Sequence, residues 1–272
     1  MNYTPAKTHA FTLLELLVVL ATIAVLAALM LPALANTRNN VKPAGCQSNL
    51  RQWATATQLY AADNGDQIPT DGMGANGVWG PGSPLPTGTP DDTNAWFNLL
   101  PQYAGEQRFT TFYHTPGGDP RLKYPFPGNN IGKIWMCPAA AMDQAGYNAL
   151  ADGGVYGFFS YNFNIDLKGS AHGLFPYPLM PHLGSLPKPA ATVLMLDDAF
   201  NPLTEVVNGS PSFNSENPAC RYKTVSIRHD LGAFIAFCDG HVARFSTYYV
   251  TNNPTQPSEP QQPDIIWDWS NR

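Results

Sequence analysis

Glu15 is the one carboxylate in an otherwise uncharged run, Phe11-Thr12-Leu13-Leu14-Glu15-Leu16-Leu17, that stays apolar to Leu34. As a helix, residues 11–31 would extend about 31 Å, enough to cross a bilayer core, and an ionised Glu15 there costs ~2.5 kcal/mol or more unless paired. The cheapest partner is a free α-amino group, which exists near Glu15 only if the peptide is cut between Ala10 and Phe11. The other residues able to do chemistry lie late in the chain: Asp197-Asp198, then His229, then Asp239-Gly240-His241. A strand over residues 233–237 would hold its two ends about 17 Å apart at ~3.4 Å per residue, so His229 and Asp239 cannot share one small ion. His229 is instead expected to pair with Asp197 or Asp198, because an antiparallel strand ending at Asp197 would finish beside the start of the 233–237 strand. The expected role of that pair is structural, with Asp197 accepting hydrogen bonds from His229 or from loop amides and locking a corner. Asp239-Gly240, between two β-rich runs, reads as hairpin turn chemistry.

The elements that must position these residues follow from periodicity. After Pro32 the spacing of Ala44, Cys46, Leu50, Trp53, Ala54, Thr57 and Ala61 is close to helical, and Asp63-Asn64-Gly65-Asp66 supplies a stop. The spacing predicts a helix over residues 11–62, its part over 11–34 membrane-spanning and its second half amphipathic. Residues 63–190 form a loop-rich region with one short helix at 96–100, an edge segment at 134–138 and a strand within 156–165. Strands are expected at 192–196, 222–227, 233–237 and 242–248, giving an antiparallel sheet over 191–250. Residues 251–272 form a surface tail whose Ile265-Ile266-Trp267 docks on the sheet region or on a neighbouring subunit.

With 44% hydrophobic and 13% charged residues over 272 positions, the chain can bury a sizeable core but carries little surface charge. Its 26 prolines and 23 glycines favour loops. The net charge of -5 becomes -6 without residues 1–10, whose one formal charge is Lys7, and this disfavours nonspecific nucleic-acid binding. Gly117-Gly118 and Gly153-Gly154 lack the context of a phosphate loop, and neither Gly-x-Ser-x-Gly nor His-Glu-x-x-His occurs. No residue is assigned a catalytic role, and the chain is not read as an enzyme.

Lys7, the Ala10-Phe11 junction and Thr12-Leu13-Leu14-Glu15 together resemble the class III leader of type IV pilins and type II secretion pseudopilins, with Ala10 standing where such leaders usually carry Gly. An ordinary secretory signal, with an A-x-A-like site at Ala33-Leu34-Ala35, and a plain single-span anchor are the competing readings. His229, nine residues, then Asp239-Gly240 resembles the C-terminal motif of planctomycete pilin-like proteins. Cys46-Gln47-Ser48-Asn49-Leu50, Tyr60-Ala61-Ala62-Asp63, Cys137-Pro138, Ser160-Tyr161-Asn162 and Val193-Leu194-Met195-Leu196-Asp197 fall in that family's order.

The resemblance implies an α+β, pilin-like lollipop: a long N-terminal helix packed on an antiparallel head with long irregular loops. It implies that a prepilin peptidase cuts and N-methylates Phe11, that Pro32 falls where pilin helices kink, and that Glu15 pairs with a neighbour's new terminus during assembly. The implied partners are that peptidase, other pilin-like subunits and an assembly platform in the cytoplasmic membrane. The implied location is a single-pass membrane precursor with an extracytoplasmic head.

A leader that directs the body out of the cytoplasm would permit disulfides. Cys46, Cys137, Cys220 and Cys238 allow three full pairings; Cys46–Cys137 is the preferred pair, buried free thiols compete with it, and Cys238 reads as a small buried hydrophobe. No cofactor is required. Ca²⁺, which pseudopilin heads can carry, would have Asp197 and Asp198 as first candidates, ahead of Asp63, Asp66, Asp71, Asp91 and Asp92. The alternative function is a membrane-tethered extracytoplasmic protein that uses the leader for export and binds a glycan or other ligand on aromatic and Gly/Pro-rich loops; Tyr161, Phe163, Phe175 and Tyr177 would offer a sugar platform, although packing is the commoner use of such residues.

Overall fold

The computed structural model describes residues 13–74, 77, 79–80, 88–128, 134–150, 153–168, 180–205, 215–251 and 262–269, without the side chains of residues 29–41. The leader, Ala10 and Phe11 therefore lie outside the described residues, as does the side chain of Pro32. The chain divides into two units, Met1–Lys42 and Pro43–Arg272, with the boundary inside helix α1 (Leu13–Asp63).

In the first unit, the leucine and valine side chains of α1 from Leu13 to Leu26 are about half exposed or more. Among the described residues no helix is long and apolar enough to cross a membrane. This corrects the single-pass membrane placement expected from residues 11–34.

The second unit is mixed α+β, built on a five-stranded, mostly antiparallel sheet in the order β3-β1-β2-β4-β5. Its strands are β1 (Tyr161–Asn164), β2 (Val193–Asp197), β3 (Ala219–Cys220), β4 (Gly232–Phe237) and β5 (Val242–Ser246). β1 pairs antiparallel with β2 and parallel with β3. Among the described residues the sheet is accompanied by short helices α2 (Trp96–Leu99), α3 (Phe109–Tyr113), α4 (Pro120–Lys123), α5 (Gln144–Asn148) and α6 (Thr247–Thr251).

Two sequence expectations are corrected here. Residues 222–227 do not form a strand: Tyr222–Thr224 is a 3₁₀ turn and Val225 makes a single bridge to Asp198. Residues 134–138 form turns rather than an edge strand, because helix side chains claim their carbonyls. Trp53 Nε1 donates to Ile134 O at 2.9 Å and Asn49 Nδ2 to Met136 O at 3.1 Å.

Each sheet face has its own core. Cys46, Leu50, Trp53 and Ala54 of α1 cover one face, joined by an aromatic group in which Trp53 and Trp135 meet edge-on at 4.9 Å and Phe109 stacks on Phe159 at 4.7 Å. Val193, Leu196, Cys220, Ile235, Phe237, Ile265 and Trp267 pack on the other. The tail is fixed there, since Val193 N donates to Ile266 O at 2.9 Å and Ile266 N to Ala191 O at 2.7 Å.

A β-bulge sets which residues reach which face. Val193 pairs with Phe237 but Met195 with Ala236, a register shift that turns Leu194 and Met195 together toward the α1 side. Beyond it normal alternation resumes, sending Leu196 to the far core and Asp197 to the α1 side.

Candidate functional site

Four chain segments converge where β2 ends. Cys46 arrives on the buried stripe of α1, Cys137 on the turn over 134–138, Asp197 at the end of β2 and His229 just before β4. Cys46 and Cys137 are joined as a disulfide, with their Cα atoms 4.9 Å apart. Gly45 lets the helix come this close, because a Cβ at that position would lie 2.9 Å from Pro138 Cγ. Ser160 Oγ accepts from Cys137 N at 2.8 Å, and Ala139 N donates to Cys137 Sγ at 3.4 Å.

His229 Nε2 lies 3.0 Å from Asp197 Oδ2 and 3.3 Å from Cys137 Sγ. Of the two carboxylates expected near His229, the structure places Asp197 beside it. The approach to Oδ2 is close enough for an ion pair but makes no hydrogen bond, and Asp197 Oδ2 and, separately, His229 Nδ1 are buried without one. The imidazole also packs on Phe234, ring centres 4.9 Å apart.

Arg228, which sequence reasoning missed, anchors the other side of the carboxylate. Its Nη2 donates to Asp197 Oδ1 and its Nη1 to Glu205 Oε2, and Ser226 Oγ donates to that same Glu205 oxygen at 3.3 Å. Burial opposes the Arg228 charge, but Asp197 and then Glu205 outweigh it and hold the guanidinium above its ordinary pKa. A basic residue immediately before the motif histidine was the available signal. Glu205 offered none.

Asp198 does not join the cluster. Next along the chain from Asp197, it faces the opposite core, where its Oδ2 accepts from Asn162 Nδ2 at 2.7 Å. Burial pushes its carboxyl up to about 8, against the Thr224 hydrogen bond that lowers it. The pair Asp197-Asp198 is split between two faces, so the two carboxylates do not converge on one ion. The other carboxylates considered for Ca²⁺ are dispersed among local roles. Asp66 accepts from Gly184 N, Asp71 pairs with buried Lys168, Asp91 with His114, and Asp92 accepts from Asn94 N.

The hairpin end of the motif behaves as its sequence implies. Gly240 takes φ +93 between β4 and β5, Asp239 Oδ1 accepts from His241 N at 3.0 Å, and exposed His241 stacks on Phe237 at 4.4 Å. β4 separates this turn from His229. At the other end, Arg244 donates from Nε and Nη2 to His229 O. Tyr161 and Phe163, considered as a sugar platform, are buried in the core, and Phe175 and Tyr177 lie outside the described residues.

Among the described residues, one ligand atom each from Cys46, Cys137, Asp197 and His229 all lie within 4.8 Å of one another. In the oxidised chain this cluster is a covalent and electrostatic lock across three segments and the sheet. No protein-family model, no curated protein and no solved structure matches this chain.

Proposed function

We propose that the chain is a structural subunit of a type IV pilus-like or type II secretion-like filament, cut and N-methylated at Phe11 and assembled through its N-terminal helix. The observation that carries this reading is the placement of Glu15, the fifth residue after the Ala10-Phe11 junction and the acidic residue in the first turn of α1. Cleavage would supply an amine to pair with it. The pilin-like architecture, a long N-terminal helix with an antiparallel sheet, belongs to the same proposal.

The exposed side chains of Leu13, Leu16, Leu17, Leu20, Ile23 and Leu26 support it. Apolar residues on every side of a helix need neighbours to cover them, and the matching helices of like subunits supply that cover. Within such a bundle Glu15 would meet the amine of a neighbouring subunit, a charge pair that apolar surroundings strengthen. A prepilin peptidase, other pilin-like subunits and an assembly platform are the partners this requires.

The test is Glu15→Ala in the native host. Incorporation into sheared filaments is expected to be abolished, while buried Trp53, Trp96 and Trp135 keep the emission of a folded second unit. Normal incorporation would sink the pairing. Intact mass supplies an independent check, with a chain starting at N-methylated Phe11 expected and a start at Asn36 pointing instead to ordinary secretion.

A further inference from the structure

We infer that Cys46, Cys137, Asp197 and His229 form a two-state site, disulfide-locked in the oxidised chain and a tetrahedral Zn²⁺ centre when the chain folds with its cysteines reduced. Two thiolates, one imidazole and one carboxylate make a donor set suited to this ion. The four residues are all buried, and their ligand atoms already lie within 4.8 Å of one another. The sulfurs need to part to ~3.8 Å, the tetrahedral edge for metal–sulfur bonds of about 2.3 Å. Side-chain rotation about two Cβ atoms can deliver that.

Three further observations point to a ligand here. Asp197 Oδ2 is buried without a hydrogen bond and faces His229 Nε2 at 3.0 Å, so the two are neighbouring donor atoms with no mutual hydrogen bond. Asp197 Oδ1 is held by Arg228, which leaves Oδ2 to bind and orients it, the outer-shell support that metal carboxylates receive. Ala139 N donates to Cys137 Sγ, a contact that would stabilise a thiolate.

The steps balance. A dithiol reductant opens Cys46–Cys137 to two thiols and leaves as its own disulfide. Zn²⁺ then displaces both thiol protons to solvent, Asp197 binds as carboxylate, and neutral His229 binds through Nε2 with its ring proton on Nδ1. Zn²⁺ and two thiolates together carry no net charge, so metal binding adds none to buried Asp197, Glu205 and Arg228. Because both sulfurs are buried, exchange between the states requires an opened chain. Metal therefore enters during folding rather than by exchange in the native molecule.

The experiment uses the full chain in nonionic detergent, unfolded and reduced with a phosphine, then refolded with Co²⁺ as the probe. We expect one Co²⁺ per chain, intense visible bands of tetrahedral cobalt, a sulfur-to-metal charge-transfer band, and folded tryptophan emission. The oxidised chain should bind none. Cys46→Ser should lose the charge-transfer intensity of one thiolate, His229→Ala should lose stoichiometric binding, and Cys220→Ser with Cys238→Ser should change nothing. The inference is overturned by octahedral or absent binding in a folded, reduced chain, by equal binding in the oxidised chain, or by binding that moves with Cys220 or Cys238. It is overturned equally if the reduced chain stays unfolded in the presence of the metal.

Discussion

Arg228 pairs with two buried carboxylates through one side chain, and its removal leaves Asp197 and Glu205 without their shared counter-charge in a site closed to water. Arg228→Met is expected to cost about 3–5 kcal/mol, because breaking one partner of a buried ionic group exposes the full desolvation penalty of the others. Urea unfolding of the oxidised chain measures it, and a loss under ~1 kcal/mol would show that the carboxylates are not held as described. Near it, Asp230 and Leu231 both take φ +54, a left-handed backbone that Leu adopts at a penalty. Leu231 is also 71% exposed, so its side chain recovers little by packing. Leu231→Asn should raise stability by ~0.5–1 kcal/mol, and a thermal melt that moves down would refute the strain argument.

At the scale of elements, the site depends on how closely α1 approaches the turn that carries Cys137. Gly45→Ala would gain ~1 kcal/mol of helix propensity but drive a methyl group into the Pro138 ring, a clash of ~1–3 kcal/mol that a rigid ring cannot relieve by rotation. The expected net effect is destabilisation by about 1 kcal/mol with slower closure of Cys46–Cys137. Stability unchanged or higher, with normal oxidation, would mean that helix and turn are free to separate. The buried stripe of α1 was legible in its spacing, as were β2, β4 and the Asp-Gly hairpin. Residues 134–138 and 222–227 were not, because their β-rich composition is overruled by side chains and turns that take their backbone groups.

For the whole molecule, Asp71, Asp92 and Lys168 place two carboxyls and one amine in the interior. Burial raises Asp71 above the ordinary carboxylate range despite Lys168, and burial with the Asp71 charge raises Asp92. A carboxyl raised in the fold takes up a proton on folding. Its contribution is complete below the unfolded value near pH 4 and is lost as pH rises through the folded value. Stability should therefore decline with pH above about 4 through this pair, and Asp92→Asn should flatten part of that decline. An unchanged slope in urea midpoints across pH 4 to 8 would refute it. The disulfide adds a global term. It closes a separation of 91 residues, so Cys46→Ala with Cys137→Ala should cost ~4–5 kcal/mol by loop entropy, read in the same denaturation assay.

The sequence by itself determined what depends on neighbours along the chain. The isolated Glu15, the helical stripe from Cys46 to Ala61 and the hairpin at Asp239-Gly240 follow from local spacing, and strand length brings His229 near the Asp197-Asp198 pair without choosing between them. Only the tertiary structure decided what depends on parity and on distant partners. A bulge of one residue at Val193/Met195 determines that Asp197 faces the cysteines while Asp198 faces the other core. No local pattern encodes Glu205 as the second carboxylate of Arg228, because that pairing exists only once the sheet has brought residues 197, 205 and 228 to one corner. The length of an apolar run suggested a membrane span, yet among the described residues no helix meets that requirement.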